Sequence, residues 1–260
     1  MRIITWNINS VRLRINLLEK LALEYLPDII CLQETKTEDK NFPIEAIKKM
    51  GFEHVVYAGE KSYNGVAIIS KYPITNSFSL QIYNEDKRHI CAKINDIEIH
   101  NFYVPAGGDE PDVEINPKYK HKLAYLQSME EWFTKNRLKT DSIILLGDLN
   151  IAPHEHDVWS SYQLRNVISH TRKERNALLG FQESFNFIDT ARHFVDFNEK
   201  LYSWWSYRNR DWKKSNRGRR LDHIWVSQIL KSSLQTISCL SDIRDWERPS
   251  DHVPCVLELK

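Results

Sequence analysis

Cysteine is scarce in this chain, and the four that occur, Cys31, Cys91, Cys239 and Cys255, form no C-x-x-C pair. That spacing excludes a thioredoxin-like redox motif and the common thiolate zinc sites. Most of the four lie inside apolar runs, so they are expected to be buried, reduced thiols of a reducing cytoplasm rather than disulfides. No apolar run approaches the ~20 residues that a bilayer-crossing helix needs. The opening MRIITWNIN alternates and carries Asn early, without the charged-then-apolar layout of a secretion signal. A P-loop is missing, which argues against nucleoside-triphosphatase chemistry; so is a G-x-S-x-G elbow, which argues against a serine hydrolase. There is no excess of one charge either. Lys plus Arg number 36 against 35 Asp plus Glu, a formal net charge of +1. An anionic partner must then be held by a local basic patch, not by a global field.

What is present describes a globular protein with a sizeable core: 42% hydrophobic and 27% charged residues, with 8 Trp, 11 Tyr and 10 Phe available for packing and stacking. A sheet-based sandwich can hold 260 residues in one unit. No linker, repeat or low-complexity tract divides the chain, so one domain over residues 1–260 is expected. Hydrophobic periodicity predicts strands at 2–8, 29–33, 55–58, 65–70, 90–94, 97–103, 142–146, 221–226, 233–240 and 253–259. It predicts helices at 13–25, ended by Pro27; 43–50, stopping at Gly51; 119–134; and 172–179, with Gly180 after it. Helices interspersed with runs of adjacent strands indicate an α+β protein of packed sheets covered by helices.

Polar residues gather at the ends of these apolar strands. Asn7 and Asn9 end the first, Gln33 and Glu34 the second, and Asn101 and Tyr103 another. Asp148 and Asn150 follow IILLG, Asp222 opens a late strand, and Ser250, Asp251 and His252 precede the last. Each alone reads as a turn or cap residue. The six coincidences together, nearly all carboxylate, amide, His or Tyr, favour a site built on rigid strand ends along one rim. Asn7, Glu34 and Asp251 are hard oxygen donors with no thiolate among them, a set that suits Mg²⁺, with Mn²⁺ as a substitute, and not zinc. Asp222 can orient and charge the His252 imidazole. A metal, a His and a spare carboxylate fit attack of water on a phosphodiester.

A basic loop follows. Residues 207–220 (YRNRDWKKSNRGRR) hold seven basic residues and one acid, with Trp204, Trp205 and Trp212 just before or within it. Basic residues interleaved with aromatics suit phosphate contacts and base stacking. An ordinary basic run is more often a solvated loop, but this one adjoins Leu221 and Asp222. A second basic stretch, 165–175, could track a nucleic-acid backbone or be a plain helix face.

Seven segments occur in order: TWNIN (5–9), LQETK (32–36), NGVAIISK (64–71), NFYVPAGG (101–108), GDLNIAP (147–153), GRRLDHIW (218–225) and SDHVP (250–254). Together the series resembles the exonuclease III family of abasic-site endonucleases, within the endonuclease/exonuclease/phosphatase superfamily. The resemblance implies a four-layer α/β/β/α sandwich of two packed mixed β-sheets. It implies a Mg²⁺-dependent enzyme, acting as a cytoplasmic monomer, that cuts double-stranded DNA 5′ to abasic sites and trims or cleans damaged 3′ ends. Glu34 would be the central metal ligand, with Asn7 and Asp251 nearby and Asp148, Asn150 and His252 at the same centre. Asp148 would activate water, Asn150 would hold water and phosphate, and His252, oriented by Asp222, would donate to a phosphate oxygen. Tyr103 would bond the phosphate or help at the leaving oxygen. DNA contacts would come from Lys36, Tyr63, Arg88, Arg208, Trp212, Arg217 and Arg219, and Trp204 and Leu221 would form the abasic-sugar pocket with Arg219 at its edge. Ala106, Arg219 and Asn9 depart from residues that some relatives carry. The enzymatic alternative is a nuclease or phosphatase of the superfamily without abasic preference; the non-enzymatic one is a silent DNA-binding scaffold.

Overall fold

The computed structural model describes residues 1–209 and 211–260. In chain order its elements are β1 (Arg2–Asn7), α1 (Ile15–Tyr25), β2 (Ile29–Gln33), α2 (Ile44–Lys49), β3 (His54–Glu60), β4 (Tyr63–Ser70), β5 (Asn76–Phe78), β6 (His89–Ile94) and β7 (Ile97–Tyr103). Then come α3 (Pro117–Asn136), β8 (Ile143–Asp148), α4 (Ser161–Leu164), α5 (Arg172–Phe185), β9 (Ile188–Asp189), α6 (Thr190–Phe194), α7 (Trp212–Ser215), β10 (Asp222–Val226), β11 (Leu234–Cys239) and β12 (Cys255–Leu259). Among the described residues no helix is long and apolar enough to cross a membrane.

The strands form two six-stranded sheets, ordered β11-β12-β1-β2-β4-β3 and β5-β6-β7-β8-β10-β9. Each is mixed. A parallel pair, β1 with β2 and β7 with β8, sits at the centre of each sheet, and the flanking pairs are antiparallel. Strand alternation sorts the side chains into layers. Ile3, Ile29, Ile68 and Leu257 of one sheet meet Ile99, Ile144, Leu146 and Ile224 of the other in a shared core. The opposite face of the first sheet, with Ile4, Trp6, Ile30 and Ile69, packs under Leu18 and Leu21 of α1 and Ile47 of α2. On the second sheet Phe102, Ile143, Leu145 and Trp225 pack under α3 and α5 through Met129, Phe133, Leu178 and Phe181. Helix, sheet, sheet, helix is the four-layer sandwich that the motif series implied.

The same alternation aims the site. Asn7, Tyr103, Asp148 and Asp222 continue the inward rows of Ile3, Ile99, Ile144 and Ile224, and they stand where those rows run out at the rim. Just below them a polar layer spans the gap between sheets. Gln33 donates to Thr5 Oγ1 at 2.9 Å and to Asn101 Oδ1 at 2.7 Å, and Asn101 donates to the Leu32 and Ala67 carbonyls, both at 2.9 Å. These buried hydrogen bonds hold the rim ends of the two sheets in one register.

Three sequence expectations are corrected. The helix predicted at 172–179 runs to Phe185 and passes straight through Gly180, where an added Cβ would meet nothing. A helical glycine costs about 1 kcal/mol, and burial of Leu178, Phe181 and Phe185 outweighs it. The helix begins on a Thr171–Glu174 capping box and ends on left-handed Asn186. Second, Cys239 and Cys255 are disulfide-bonded, not separate reduced thiols. They lie directly opposite each other on β11 and β12 with Cα atoms 4.2 Å apart, a register no spacing along the chain reveals. Cys31 and Cys91 are free and buried. Third, the short strands β5 and β9 carry too few residues to show a period.

Candidate active site

Asn7 is the hub of the rim. Its amide nitrogen donates to Glu34 Oε1 at 2.9 Å and to Asp148 Oδ2 at 2.8 Å, and so joins the two sheets. Glu34 also accepts from the Tyr103 hydroxyl at 2.9 Å and pairs with Lys36 Nζ at 2.8 Å. Burial pushes the Glu34 carboxyl up, but the Lys36 ammonium and the Asn7 hydrogen bond prevail and hold it below its ordinary value. Tyr103 is raised well above the usual phenol range by burial and by the Glu34 and Asp148 carboxylates, so it stays a donor. Asp251 accepts from Asn9 Nδ2 at 3.1 Å and from Trp204 Nε1 at 2.9 Å, and Asn9 in turn accepts from Lys36 at 2.7 Å. Burial opposes ionisation of Asp251, but the His252 cation and the Trp204 bond leave it depressed.

The second half of the site is a chain of charge. His252 lies between Asp222, 2.8 Å from Nδ1, and Asp148, 3.6 Å from Nε2. Burial alone would discharge the imidazole; Asp222 and Asp148 overcome that and push its pKa up to about 10. Asp148 is raised to about 7, chiefly by burial, with Asp222 and Glu34 adding to the effect and His252 opposing it. Asn150 orients Asp148. Its backbone N–H donates to Oδ1 at 2.9 Å, and its amide spans Asp148 Oδ2 at 3.1 Å and the Val104 carbonyl at 2.9 Å.

The backbone here is unusual. Asn9, Glu34, Lys36 and Asn150 have φ of 48°, 50°, 50° and 53°, the left-handed region that non-glycine residues seldom visit. Four such residues along one rim take part in the hydrogen bonds just named, and strain of this kind clusters at functional sites.

The structure therefore brings together Asn7, Glu34, Tyr103, Asp148, Asn150, Asp222, Asp251 and His252. Asp148, Asp222 and His252 could by spacing hold an ion; with Asp222 at Nδ1 and Asp148 3.6 Å from Nε2, the His252 ring is equally placed to act as a proton donor. The oxygen donors of Glu34, Asp251 and Asn7 fit a hard cation better. A residue the sequence did not single out, Ser203, completes the array. Its hydroxyl donates to Asp222 Oδ2 at 2.6 Å and accepts from the Leu221 and Asp222 backbone N–H groups, both at 3.0 Å. A lone serine before two tryptophans carries no signal of this role.

Glu34, Tyr103, Asn150, Asp251 and His252 open onto a cavity of about 260 Å³ walled by Trp204, Leu221 and Arg219. A larger cavity of about 530 Å³ adjoins it, sharing Gly108, Ile168, Trp204 and Arg219 and edged by Arg208, Arg217 and Trp159. Arg219, expected at the pocket edge, is thus part of the wall of both. Other expected DNA contacts fall elsewhere. Arg88 is 4% exposed, stacked on Tyr103 at 4.8 Å and paired with Asp86 at 2.9 Å, so it supports the Tyr103 ring from beneath. Tyr63 is exposed beside it. Trp212 turns away from the cavity, packs on Trp205 at 4.9 Å and donates to Asp245 at 2.9 Å. Lys36 is tied to Glu34 and Asn9. Arg220, counted with the basic loop, is fully buried between Asp157 and Asp189, at 2.8 Å from each, and anchors the loop instead of facing a ligand. Arg210 lies outside the described residues.

Comparison with known proteins agrees with this geometry. Residues 4–252 match the Endonuclease/Exonuclease/phosphatase family. The chain is 31% identical to exodeoxyribonuclease III of Haemophilus influenzae over the full length of both. It is similar in structure to an AP endonuclease from Archaeoglobus fulgidus (TM-score 0.93, 32% identity, 100% of this chain and 99% of that one). It is also similar to NExo, a 3′ phosphatase from Neisseria bound to product DNA hairpin (TM-score 0.91, 29% identity, 100% and 99%). With its rim residues, two-sheet sandwich and motif series in agreement, this chain belongs to the endonuclease/exonuclease/phosphatase family, in the branch of exonuclease III and the abasic-site endonucleases.

Proposed function

We propose that this chain, acting as one catalytic unit, hydrolyses the DNA backbone 5′ to abasic sites, leaving a 3′-hydroxyl, and removes nucleotides and blocking groups from the 3′ ends of double-stranded DNA. The observation that carries this reading is that His252, set between Asp222 and Asp148, opens together with Glu34, Tyr103, Asn150 and Asp251 onto one small pocket, which adjoins a larger cavity edged by Arg208, Arg217 and Trp159. The activities named for the bacterial and archaeal relatives point the same way.

The residues divide the work as follows. Asp148, held by Asn7 and Asn150, takes the proton of a water as its oxygen bonds to phosphorus. His252, kept charged by Asp222, donates from Nε2 to a non-bridging oxygen, where charge develops in the transition state. The Tyr103 hydroxyl, kept protonated by its surroundings, donates at the phosphate as the bond from phosphorus to the 3′ oxygen breaks. Glu34 and Asp251, with Asn7 beside Glu34, would hold a divalent cation, Mg²⁺ or Mn²⁺ by the hardness of their oxygens, and the bound ion would neutralise charge on the phosphoryl oxygens. Trp204 and Leu221 wall a space that admits a sugar without a base. Extruding an abasic nucleotide costs less than flipping a paired one, a penalty of a few kcal/mol.

The test is Mg²⁺-dependent cleavage of a duplex with one abasic analogue, against an intact duplex and an inositol phosphate. Preference for the abasic duplex supports the reading. Dephosphorylation of the inositol phosphate with no cut in either duplex overturns it in favour of a small-molecule phosphatase.

A further inference from the structure

Lys122 on α3 and Glu174 on α5 form an ion pair, 2.5 Å long, that is closed to solvent on both sides. The two helices are already joined by Met129, Phe133, Leu178 and Phe181. Taking two charges out of water costs roughly what their attraction returns, so apolar residues of like volume often serve a fold as well. Stability is therefore a poor reason for this pair, and its hydrogen bonds lead to the active site instead. The ammonium has three N–H groups and three acceptors: Glu174, the Asn150 carbonyl at 2.8 Å and the Ala106 carbonyl at 3.2 Å. Those carbonyls belong to the loops that follow β8 and β7. Gly107 permits the approach, since a Cβ there would lie 2.9 Å from Lys122 Cδ. Glu174 is fixed separately. It accepts from the Ser169 N–H at 3.0 Å, the Thr171 N–H at 3.1 Å and the Thr171 hydroxyl at 2.6 Å.

Asn150 is the residue that this arrangement anchors. It is left-handed at φ 53°, a conformation that costs free energy and persists only where the surroundings hold it. Its N–H and its side-chain amide are both committed to Asp148, at 2.9 Å and 3.1 Å. We propose that Lys122 is a positioning residue for the hydrolysis: its ammonium, aimed by Glu174, fixes the Asn150 peptide so that Asn150 holds the Asp148 carboxylate towards the attacking water. Lys122 itself touches no substrate. Without it Asn150 is free to leave the left-handed region, its bonds to Asp148 lengthen, and the carboxylate loses its aim. The pocket walls and the loop arginines stay in place, so the loss falls on kcat and not on KM. A shift of about 1 Å at a reacting group costs on the order of 100-fold in rate.

This inference rests on the hydrolase reading above. Its test uses whichever phosphate ester wild type cleaves, so a failed abasic preference leaves it to stand or fall separately. Lys122→Met keeps the length of the side chain and removes its donors. Alone it strands Glu174 as a buried charge, so it is combined with Glu174→Gln, which makes both positions neutral. Rates are read well below the melting temperature of each variant. The double variant should melt close to wild type, with kcat lowered about 10- to 100-fold and KM within about threefold. In an Asn150→Ala background the same two changes should cost little more, because the residue through which they act is gone. Amide exchange gives a readout without turnover. The Asn150 N–H, bonded to Asp148, should exchange faster in the double variant while the β8 amides keep their protection. Wild-type kcat in the double variant overturns the proposal, as does a loss repeated in full in the Asn150→Ala background. So does an unchanged Asn150 exchange rate. A loss that follows a fall in melting temperature and disappears in a colder assay overturns it too, because a pair that only supports packing would act that way.

Discussion

Glu34 is where charge, strain and position meet in one side chain. It is ionised, left-handed at φ 50°, and bonded by Asn7, Tyr103 and Lys36. Glu34→Gln keeps the shape and removes the charge, so kcat/KM should fall by about 100-fold or more while the Mg²⁺ concentration for half-maximal rate rises. Unchanged Mg²⁺ dependence would remove Glu34 from the cation site. Asp222 acts through His252. Asp222→Asn takes away the nearest negative charge that keeps the imidazole protonated, so the His pKa drops and the alkaline limb of the kcat/KM profile moves to lower pH. His252→Asn should cost more than Asp222→Asn, and the double variant little more than His252→Asn; additive losses would mean that the two do not act as a pair. Identities at strand ends were readable because oxygen-rich residues there have no reason to recur in a core. Ser203, Arg88 and Arg220 were not. A serine is ambiguous without its neighbours, and an arginine in a motif looks the same whether it faces Asp157 or a phosphate.

At the scale of the element, the hairpin of β6 and β7 carries a chain of buried imidazoles. The Leu80 N–H donates to His89 Nδ1 at 3.0 Å, so His89 donates from Nε2 to His100 Nδ1, also 3.0 Å away. His100 Nε2 then donates to Glu98 at 2.5 Å, which Arg137 also bonds at 2.6 Å. Burial depresses both His pKa values, with the neighbouring His100 adding to the effect at His89 and Glu98 only partly opposing it at His100. The unfolded chain takes up these protons near pH 6.5 and the folded one does not. Stability contributed by the pair is therefore present above about pH 6.5 and is lost as the pH falls below it. The urea midpoint should drop between pH 8 and pH 5.5, and His89→Gln should flatten that slope; an unaltered slope would show that other groups carry it. Gly147, with φ 130°, lets β8 pass so near β7 that a Cβ would lie 2.0 Å from the Phe102 carbonyl oxygen. Gly147→Ala should cost about 2–4 kcal/mol, read as a lower urea midpoint at unchanged slope. Long elements were legible from period alone, whereas β5, the reach of α5 through Gly180 and the Cys239–Cys255 register depend on partners distant in sequence.

For the whole molecule, function follows from stacking two sheets so that their inward rows end at one rim. Asn7 and Glu34 come from one sheet, Asp148, Tyr103 and Asp222 from the other, and the loop before β12 supplies Asp251 and His252. Neither sheet alone holds the site, so the order of the seven motifs revealed the family while the spacing across the gap required the fold. The most direct measurement is the position and chemistry of the cut in an end-labelled duplex bearing one abasic analogue, with Mg²⁺ present. Asp148 and His252 acting on the phosphate 5′ to the bare sugar should yield a single break immediately 5′ to the analogue with a 3′-hydroxyl that a polymerase extends directly. A break on the 3′ side, or a 3′-phosphate left on the cut strand, would contradict it.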